Sequence, residues 1–278
     1  MRESRPMTDV HTDSPLVTVL LLCYNQERYI EEALVSALEQ DYANLQVVVT
    51  DDASKDATQQ VLREIAKNYS ADRLKVIFNP LNVGVTKNCN AGLLHCKGEL
   101  IAFIGGDDVF MPSKVSRQVA WFKENPDMVL CGHDVELIDE EGNEIKSRFG
   151  KMGEFSSGKG AGGIIRAGTP FASVSVMLKR NRIPPYGFHP AIPMVSDWKF
   201  WIDVVGIDGC YGHVEGKWAK YRRHSANVTA HMNSKIMRDV LMTAVLSLWH
   251  LRGRYFKDWV HYFFVRPILK RVRRKVHD

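Results

Sequence analysis

Apolar positions along this chain follow two alternating rules. Short apolar runs at residues 17–23, 46–50, 74–78 and 100–104 read as strands. Between them, apolar residues recur every three or four positions and read as helices. These cover 27–40, with Ile30, Leu34 and Leu38 on one face, 56–68, with Val61, Ile65 and Tyr69, then 85–95 and 113–125. Another strand opens at Val129-Leu130-Cys131. A strand apolar on both sides has no side to give to water, so the sheet must be covered on both faces. The expected class is α/β: a mostly parallel sheet with helices on both faces.

After about residue 130 the rhythm changes. Residues 135–145 read as a hairpin around Glu141-Gly142-Asn143, and 151–163, rich in Gly and Ser, as a mobile loop. A strand is expected over 173–178 and a helix over 197–205, with Trp198, Trp201 and Ile202 apolar. A longer helix follows over 234–252, and from Tyr255 the chain is aromatic and basic. No internal repeat is visible.

The 278 residues are 45% hydrophobic and 25% charged, ample for one large core. The net charge of +5 is unevenly placed. Residues 252–278 hold nine Lys/Arg against two Asp, a balance of +7, which leaves −2 on residues 1–251. A near-neutral body with a basic tail disfavours nucleic acid as a ligand, since such a ligand needs a basic face. Residues 1–14 are polar and read as disordered, neither signal nor anchor, and no run of 18 apolar residues exists to span a bilayer. The five cysteines are odd in number and form no Cys-x-x-Cys pair, so they read as reduced structural thiols of a cytosolic protein. The sequons at Asn68 and Asn227 are read as chance matches.

Chemistry enters at strand ends. Residues 99–106, Glu-Leu-Ile-Ala-Phe-Ile-Gly-Gly, run into Asp107 and Asp108. Paired carboxylates at the carboxyl edge of a parallel sheet sit where α/β folds bind ligands, and a divalent cation carrying a phosphorylated ligand would balance them. The second strand ends likewise in Asp51-Asp52-Ala-Ser54, then Asp56. Ser54 or Asp56 suits a helix N-cap, but Asp51 and Asp52 lie too early for that. Tyr24, ending the first strand, has two readings: a ring that stacks on a base, or packing at the sheet edge. No Gly-x-Gly-x-x-Gly follows this strand, which disfavours a dinucleotide fold of the usual kind. Residues 153–160 approach the P-loop pattern, yet Gly160 stands where a magnesium-binding hydroxyl is needed, so a flexible lid is the better reading. Cys131-Gly-His133-Asp134 matches no zinc spacing.

Several blocks, in order, resemble the family-2 glycosyltransferases. They are Val17-Thr-Val-Leu-Leu-Leu-Cys-Tyr-Asn25, Asp51-Asp-Ala-Ser-Lys-Asp56, Asn82-Val-Gly84, Asn90-Ala-Gly92 and the 98–108 strand with its acids. Ser196-Asp197-Trp-Lys-Phe-Trp201 and Tyr221-Arg-Arg-His224-Ser-Ala-Asn227-Val-Thr229 complete the match, which spans about residues 15–230. The resemblance implies the GT-A fold, Rossmann-like, with a C-terminal helical basic tail. It divides the chain into a nucleotide-binding half over 15–130, an acceptor half over 131–232 and C-terminal helices over 233–278. It also implies an inverting enzyme that uses Mn²⁺ or Mg²⁺ and a nucleotide-diphosphate sugar, with UDP favoured, and a saccharide or lipid-linked acceptor in cell-surface polysaccharide assembly, lipopolysaccharide included.

Residue by residue, the resemblance gives Asp52 the pyrimidine ring, Tyr24 the base and ribose, and Lys87 a place near the nucleotide. Asp108 becomes the metal ligand, Asp107 contacts ribose or a metal-bound water, Asp197 is the catalytic base, and His224 approaches the diphosphate. The metal motif reads Gly-Gly-Asp-Asp where many relatives have Asp-x-Asp. Gly105-Gly106 is expected to turn the backbone so that the two acids separate, and the helix start at Asp197 to hold that carboxyl's pKa low unless burial opposes it. A catalytically silent sugar-nucleotide-binding or assembly subunit is the alternative reading. For residues 255–275 two readings stand: an interfacial segment on an anionic membrane at the inner face of the cytoplasmic membrane, or a helix packed on the body with a solvated basic end.

Overall fold

The computed structural model describes residues 14–145, 157–168, 170–225 and 234–267. Residues 1–13, the first part of the expected mobile loop (151–156), residues 226–233 with the Asn227–Thr229 end of the last block, and the end of the basic tail lie outside the described residues; the rest of the expected loop, 157–163, is instead a short strand and the start of a helix.

The sheet grows from β1 (Val17–Cys23), which is buried throughout its length apart from partial exposure of Leu22. The Oγ1 of its polar residue, Thr18, donates to Gln46 Oε1 at 2.7 Å and accepts from the Gly98 N–H at 2.8 Å, so the strand is buried without an orphaned hydroxyl. β1 pairs in parallel with β2 (Leu45–Asp51) and β4 (Leu100–Gly105), and β3 (Leu74–Phe78) extends the parallel set beyond β2. The crossovers are α1 (Ile30–Leu38), α2 (Thr58–Ala66) and α3 (Val85–Leu93), each within its expected range.

Beyond β4 the sheet becomes mixed. β8 (Met177–Lys179) pairs antiparallel with β4 and with β6 (Met128–Ile138), and β6 runs parallel to β9 (Cys210–Arg222). β5 (Val109–Phe110) and β7 (Gly158–Lys159) each pair antiparallel with β9. The nine strands carry α4 (Lys114–Glu124), α5 (Gly162–Ala167), α6 (Ser196–Val205), α7 (Ser234–His250) and α8 (Phe256–Val260), which runs on as a π-turn to Val265.

Side chains alternate across a strand. Val17, Val19 and Leu21 therefore join Ile30, Leu34 and Val115 in one core, while Leu20, Ile101 and Phe103 join Trp198, Trp201 and Val240 in a second core on the other face.

Two further expectations change, and one strand is unforeseen. The 173–178 strand divides into a 3-10 turn at Ser173–Ser175 and the short β8. The 135–145 hairpin is present in a shortened form: residues 135–138 continue β6, and across the 139–143 turn Ile138 bridges antiparallel to Glu144 and the Ile145 N–H donates to the Leu137 carbonyl at 2.8 Å. The thirteen-residue β9 carries no expectation from the sequence. Glu215, Lys217 and Lys220 interrupt its apolar alternation, Gly216 adopts φ +104°, and its register with β6 shifts at His133–Val135.

Candidate active site

Strand register assembles the site. Cys23 lies beside Asp51 and Leu22 beside Gly105, so Tyr24, Asp52 and Asp107–Asp108 leave the sheet on one edge. Two loops there are interlocked. Asn25 Oδ1 accepts from the Lys55 N–H at 2.8 Å, the Asn25 N–H donates to Ser54 Oγ at 2.8 Å, and the Glu27 N–H donates to Asp56 Oδ2 at 3.0 Å. Asn25 and Ala53 both hold positive φ, +52° and +60°. For Ala53 this is strained, and the interlocking bonds are what over-determine it. Asp51 is structural: Oδ1 accepts from the Ser54 N–H at 3.0 Å and from Gln59 Nε2 at 2.6 Å, and Oδ2 accepts from the Ser54 hydroxyl.

The two acids after β4 converge. A Cβ built on Gly105 would lie 2.6 Å from Asp107 Oδ1 and 3.3 Å from Asp108 Oδ2. The chain does turn here as expected, at Gly106-Asp107, with the Asp108 N–H donating to the Gly105 carbonyl at 3.2 Å, but the turn brings an oxygen of each acid toward Gly105 instead of parting them. Neither glycine has positive φ. Both supply room instead, Gly105 for the carboxylates and Gly106 for Gln26 Oε1, which would stand 2.3 Å from its Cβ. The other oxygens are held: Asp108 Oδ1 accepts from the Arg222 N–H at 3.0 Å, and Asp107 Oδ2 accepts from His224 Nε2 at 2.9 Å. Burial first, and the neighbouring Asp107 second, push the Asp108 carboxyl well above the usual range, against the Arg222 N–H and guanidinium.

Arg222 went unassigned in the sequence although it stands inside the Tyr221–Thr229 block. Its buried guanidinium donates to the carbonyls of Asp107 at 2.8 Å, Asp139 at 3.2 Å and Glu140 at 3.3 Å, and to Glu32 Oε2 at 2.7 Å. It also lies over the Tyr29 ring, whose other neighbour is the His224 ring at 5.5 Å. One side chain thus joins β9, α1, the turn after β6 and the acidic loop.

Asp52 is buried and committed. Its carboxylate accepts from the Val83 and Gly84 N–H groups, each at 2.8 Å, and from Asn79 Nδ2 at 3.2 Å. These bonds fix the start of α3, where Gly84 takes φ +83°, and α3 in turn presents the exposed Lys87. A carboxylate has about four acceptor positions, so one remains on Asp52. Tyr24 is 42% exposed at the edge, free of the packing reading.

Asp197 opens α6. Its Oδ1 accepts from the Trp198 N–H at 2.7 Å and its Oδ2 from Ser173 Oγ at 3.1 Å. Burial raises its pKa and outweighs both donors, which is the exception that the helix-start argument left open. Ser173 is the second residue that the sequence left unassigned; it had been placed in a strand.

A sequence model of Glycosyl transferase family 2 matches residues 18–177, which hold Tyr24, Asp52, Lys87 and both acids of the pair. The chain belongs to glycosyltransferase family 2. It is 29% identical over 225 residues to an uncharacterized glycosyltransferase of Haemophilus influenzae, covering 79% of this chain and 69% of that one. It is 32% identical over 167 residues to the putative glycosyltransferase EpsE of Bacillus subtilis, covering 60% and 57%. Among solved structures, S. aureus TarS 1–349 in complex with UDP-GlcNAc superposes at TM-score 0.71 with 18% identity, over 88% of this chain and 70% of that one. The mannosyltransferase PcManGT from Pyrobaculum calidifontis, in complex with GDP-Man and Mn²⁺, gives 0.59 and 18%, over 87% and 73%. At such identities the likeness shows the GT-A fold.

For this family-2 glycosyltransferase the donor set suits a divalent ion. Two hard carboxylates converge, one of them desolvated and strained by the other's charge, and a cation would relieve both. Among the described residues no group of three or more His, Cys, Asp or Glu is arranged to hold an ion alone. Phosphate oxygens and water would complete the shell, as is usual for Mg²⁺.

Proposed function

We propose that this chain transfers a sugar from a nucleotide-diphosphate donor, a UDP-sugar, to a saccharide or lipid-linked saccharide in cell-surface polysaccharide assembly, with inversion and with Mn²⁺ or Mg²⁺. The observation that carries the reading is the convergence of Asp107 and Asp108 beside the Gly105 backbone, at a sheet edge that also bears Tyr24 and Asp52. Asp108 would hold the ion, and Asp107 the ribose or a metal-bound water. When bound, the ion neutralises charge that gathers on the departing diphosphate.

The remaining roles fall on the chain's own groups. The exposed Tyr24 ring offers a stacking face for the base, and the last acceptor position of Asp52 suits a pyrimidine N–H. Lys87 at the start of α3 and His224 beside Asp107 lie on the diphosphate side. Asp197, its proton affinity raised by burial, takes the acceptor hydroxyl's proton as the new C–O bond forms. The bond from the anomeric carbon to the diphosphate breaks on the opposite face, and the diphosphate leaves with the electron pair. Action at the inner face of the cytoplasmic membrane belongs to the same proposal.

Transfer from UDP-sugars with Mn²⁺ by wild type and Asp197→Asn tests this reading, and a loss of about 10²- to 10⁴-fold is expected for a missing general base. Equal activity removes Asp197 from that role. UDP titrated calorimetrically with and without Mn²⁺ tests the donor, and absence of heat in both arms overturns it. Tight UDP binding without transfer to any acceptor would select the catalytically silent subunit.

A further inference from the structure

We propose that the outward face of α7 is a docking surface for an anionic lipid bilayer. Met237, Leu241, Val245 and Trp249 follow one another at four-residue spacing and so form one stripe along the helix. All four are half-exposed or more, Trp249 reaching 81%. The opposite face is already used: Val240, Ala244 and Leu251 are buried in the second core. Among the described residues the helix is therefore apolar on both sides with a partner on one. A single exposed apolar residue needs no explanation, but an unbroken row of this kind does. Among the described residues no helix is long and apolar enough to cross a membrane, so the stripe suits a helix lying in the interface.

Charge selects the occupant. Arg252, Arg254 and Lys257 are exposed next to the stripe. The acids of the 234–267 segment are both engaged: Asp239 is buried against Arg238, and Asp258 is paired with Arg166. The sequence then adds five more cations over 268–278 against one Asp. Anionic headgroups answer such a face, each basic side chain near the surface contributing about 1 kcal/mol. A second copy of the chain would set these cations against one another with no exposed carboxylate of the segment to meet them.

The aromatics of residues 255–265 divide between the two readings. Trp259 is buried, its ring and that of Tyr262 lie tilted against Trp198 at 5.4 and 5.0 Å, and the Tyr255 hydroxyl donates to the Gly206 carbonyl at 3.2 Å. Those rings belong to the enzyme body, and the lipid-facing apolar surface lies mostly on α7. The same helix reaches the acceptor side of the site, because Asp239 Oδ2 accepts from the Met194 N–H at 2.8 Å, three residues before Asp197. Docking through α7 would hold that side at the surface where a lipid-linked acceptor is presented.

The test is co-sedimentation of the full chain with phosphatidylcholine vesicles, with and without phosphatidylglycerol, and it measures no transfer, so it stands apart from the reaction proposed above. Wild type should bind the anionic vesicles. The Leu241→Ser, Val245→Ser, Trp249→Ser triple variant, checked by circular dichroism and thermal melting, should bind at least about tenfold more weakly, since three apolar side chains that would leave water on docking are lost. Arg252→Glu with Lys257→Glu should abolish the preference for phosphatidylglycerol. Wild type that ignores anionic vesicles, or a triple variant that binds as wild type does, overturns the proposal. A wild-type dimer by light scattering that becomes monomeric in the triple variant also overturns it and makes the occupant a second copy.

Discussion

The backbone N–H of Arg222 donates to Asp108 Oδ1 at 3.0 Å across 114 positions of sequence. The guanidinium of the same residue donates to the Asp107 carbonyl, so the last residue of β9 grips both acids of the candidate metal pair. The backbone bond is open to any residue but proline; the side-chain bonds are not.

Arg222→Met should therefore lower stability by about 1–3 kcal/mol, because the partly buried carbonyls of Asp107, Asp139 and Glu140 lose their donor. The exposed half of Glu32 limits what that ion pair adds. Arg222→Lys should restore little, since one ammonium cannot reproduce the planar fork. Urea denaturation measures the loss, and UDP affinity with Mn²⁺ should fall with it as the acidic loop loosens.

Asp108→Asn should separate stability from function. Burial and the adjacent Asp107 raise the Asp108 pKa, so the folded protein holds that proton more tightly than the unfolded chain does, and ionising it as pH rises costs stability. Asparagine keeps an oxygen for the Arg222 N–H and removes the charge. Without metal, the variant should melt a few degrees above wild type at neutral pH. Added Mn²⁺ should raise the wild-type melting temperature and leave the variant's unchanged.

Ser173→Ala should change the pH profile more than substrate binding. The Ser173 hydroxyl favours the ionised form of Asp197, while burial opposes it more strongly. Removing the donor raises the Asp197 pKa further. The acidic limb of kcat should move to higher pH, and kcat below that limb should drop by about tenfold, the scale of one hydrogen bond to a charged group. KM for the donor should stay close to wild type. Gln118 supports the same turn by donating to the Ser175 carbonyl at 2.8 Å, so Gln118→Leu should show a weaker form of the same shift.

Lys114 makes stability depend on pH on the alkaline side. It is fully buried, donates to Gln118 Oε1 at 2.7 Å, and burial depresses its pKa to about 7. Above pH 7 the folded protein releases this proton while the unfolded chain keeps it up to the ordinary lysine value. Stability should therefore rise with pH in that window. Urea melts should show wild type gaining about 2 kcal/mol between pH 7 and pH 9 relative to Lys114→Met. A variant with the same slope as wild type would place the titration elsewhere.

The parallel half of the fold was legible because its signals are local. A buried strand must be apolar at successive positions, as in Val17–Cys23, and an amphipathic helix must repeat its apolar face, as in Ile30–Leu38. Asp52, Asp107 and Asp108 stood out because each follows an apolar strand, at a position that no helix cap requires, whereas Asp197, which opens a helix, was singled out by the family resemblance. β9 was not legible. It is half-exposed, charged and bulged, and only its pairing with β6, β5 and β7 makes it a strand.

What the sequence determined by itself is which residues could serve: the order of apolar runs, the acids at their ends, and the charge gathered after Arg252. What the tertiary structure decided is how they are used. It made Gly105 a space shared by two carboxylates, committed most of Asp52 to the start of α3, raised Asp197 by burial, and made Arg222 a bridge between distant elements. It also moved the exposed apolar surface from the tail's aromatics to α7. These follow from burial and from contacts far apart in sequence, and neither is set by a residue's immediate neighbours along the chain.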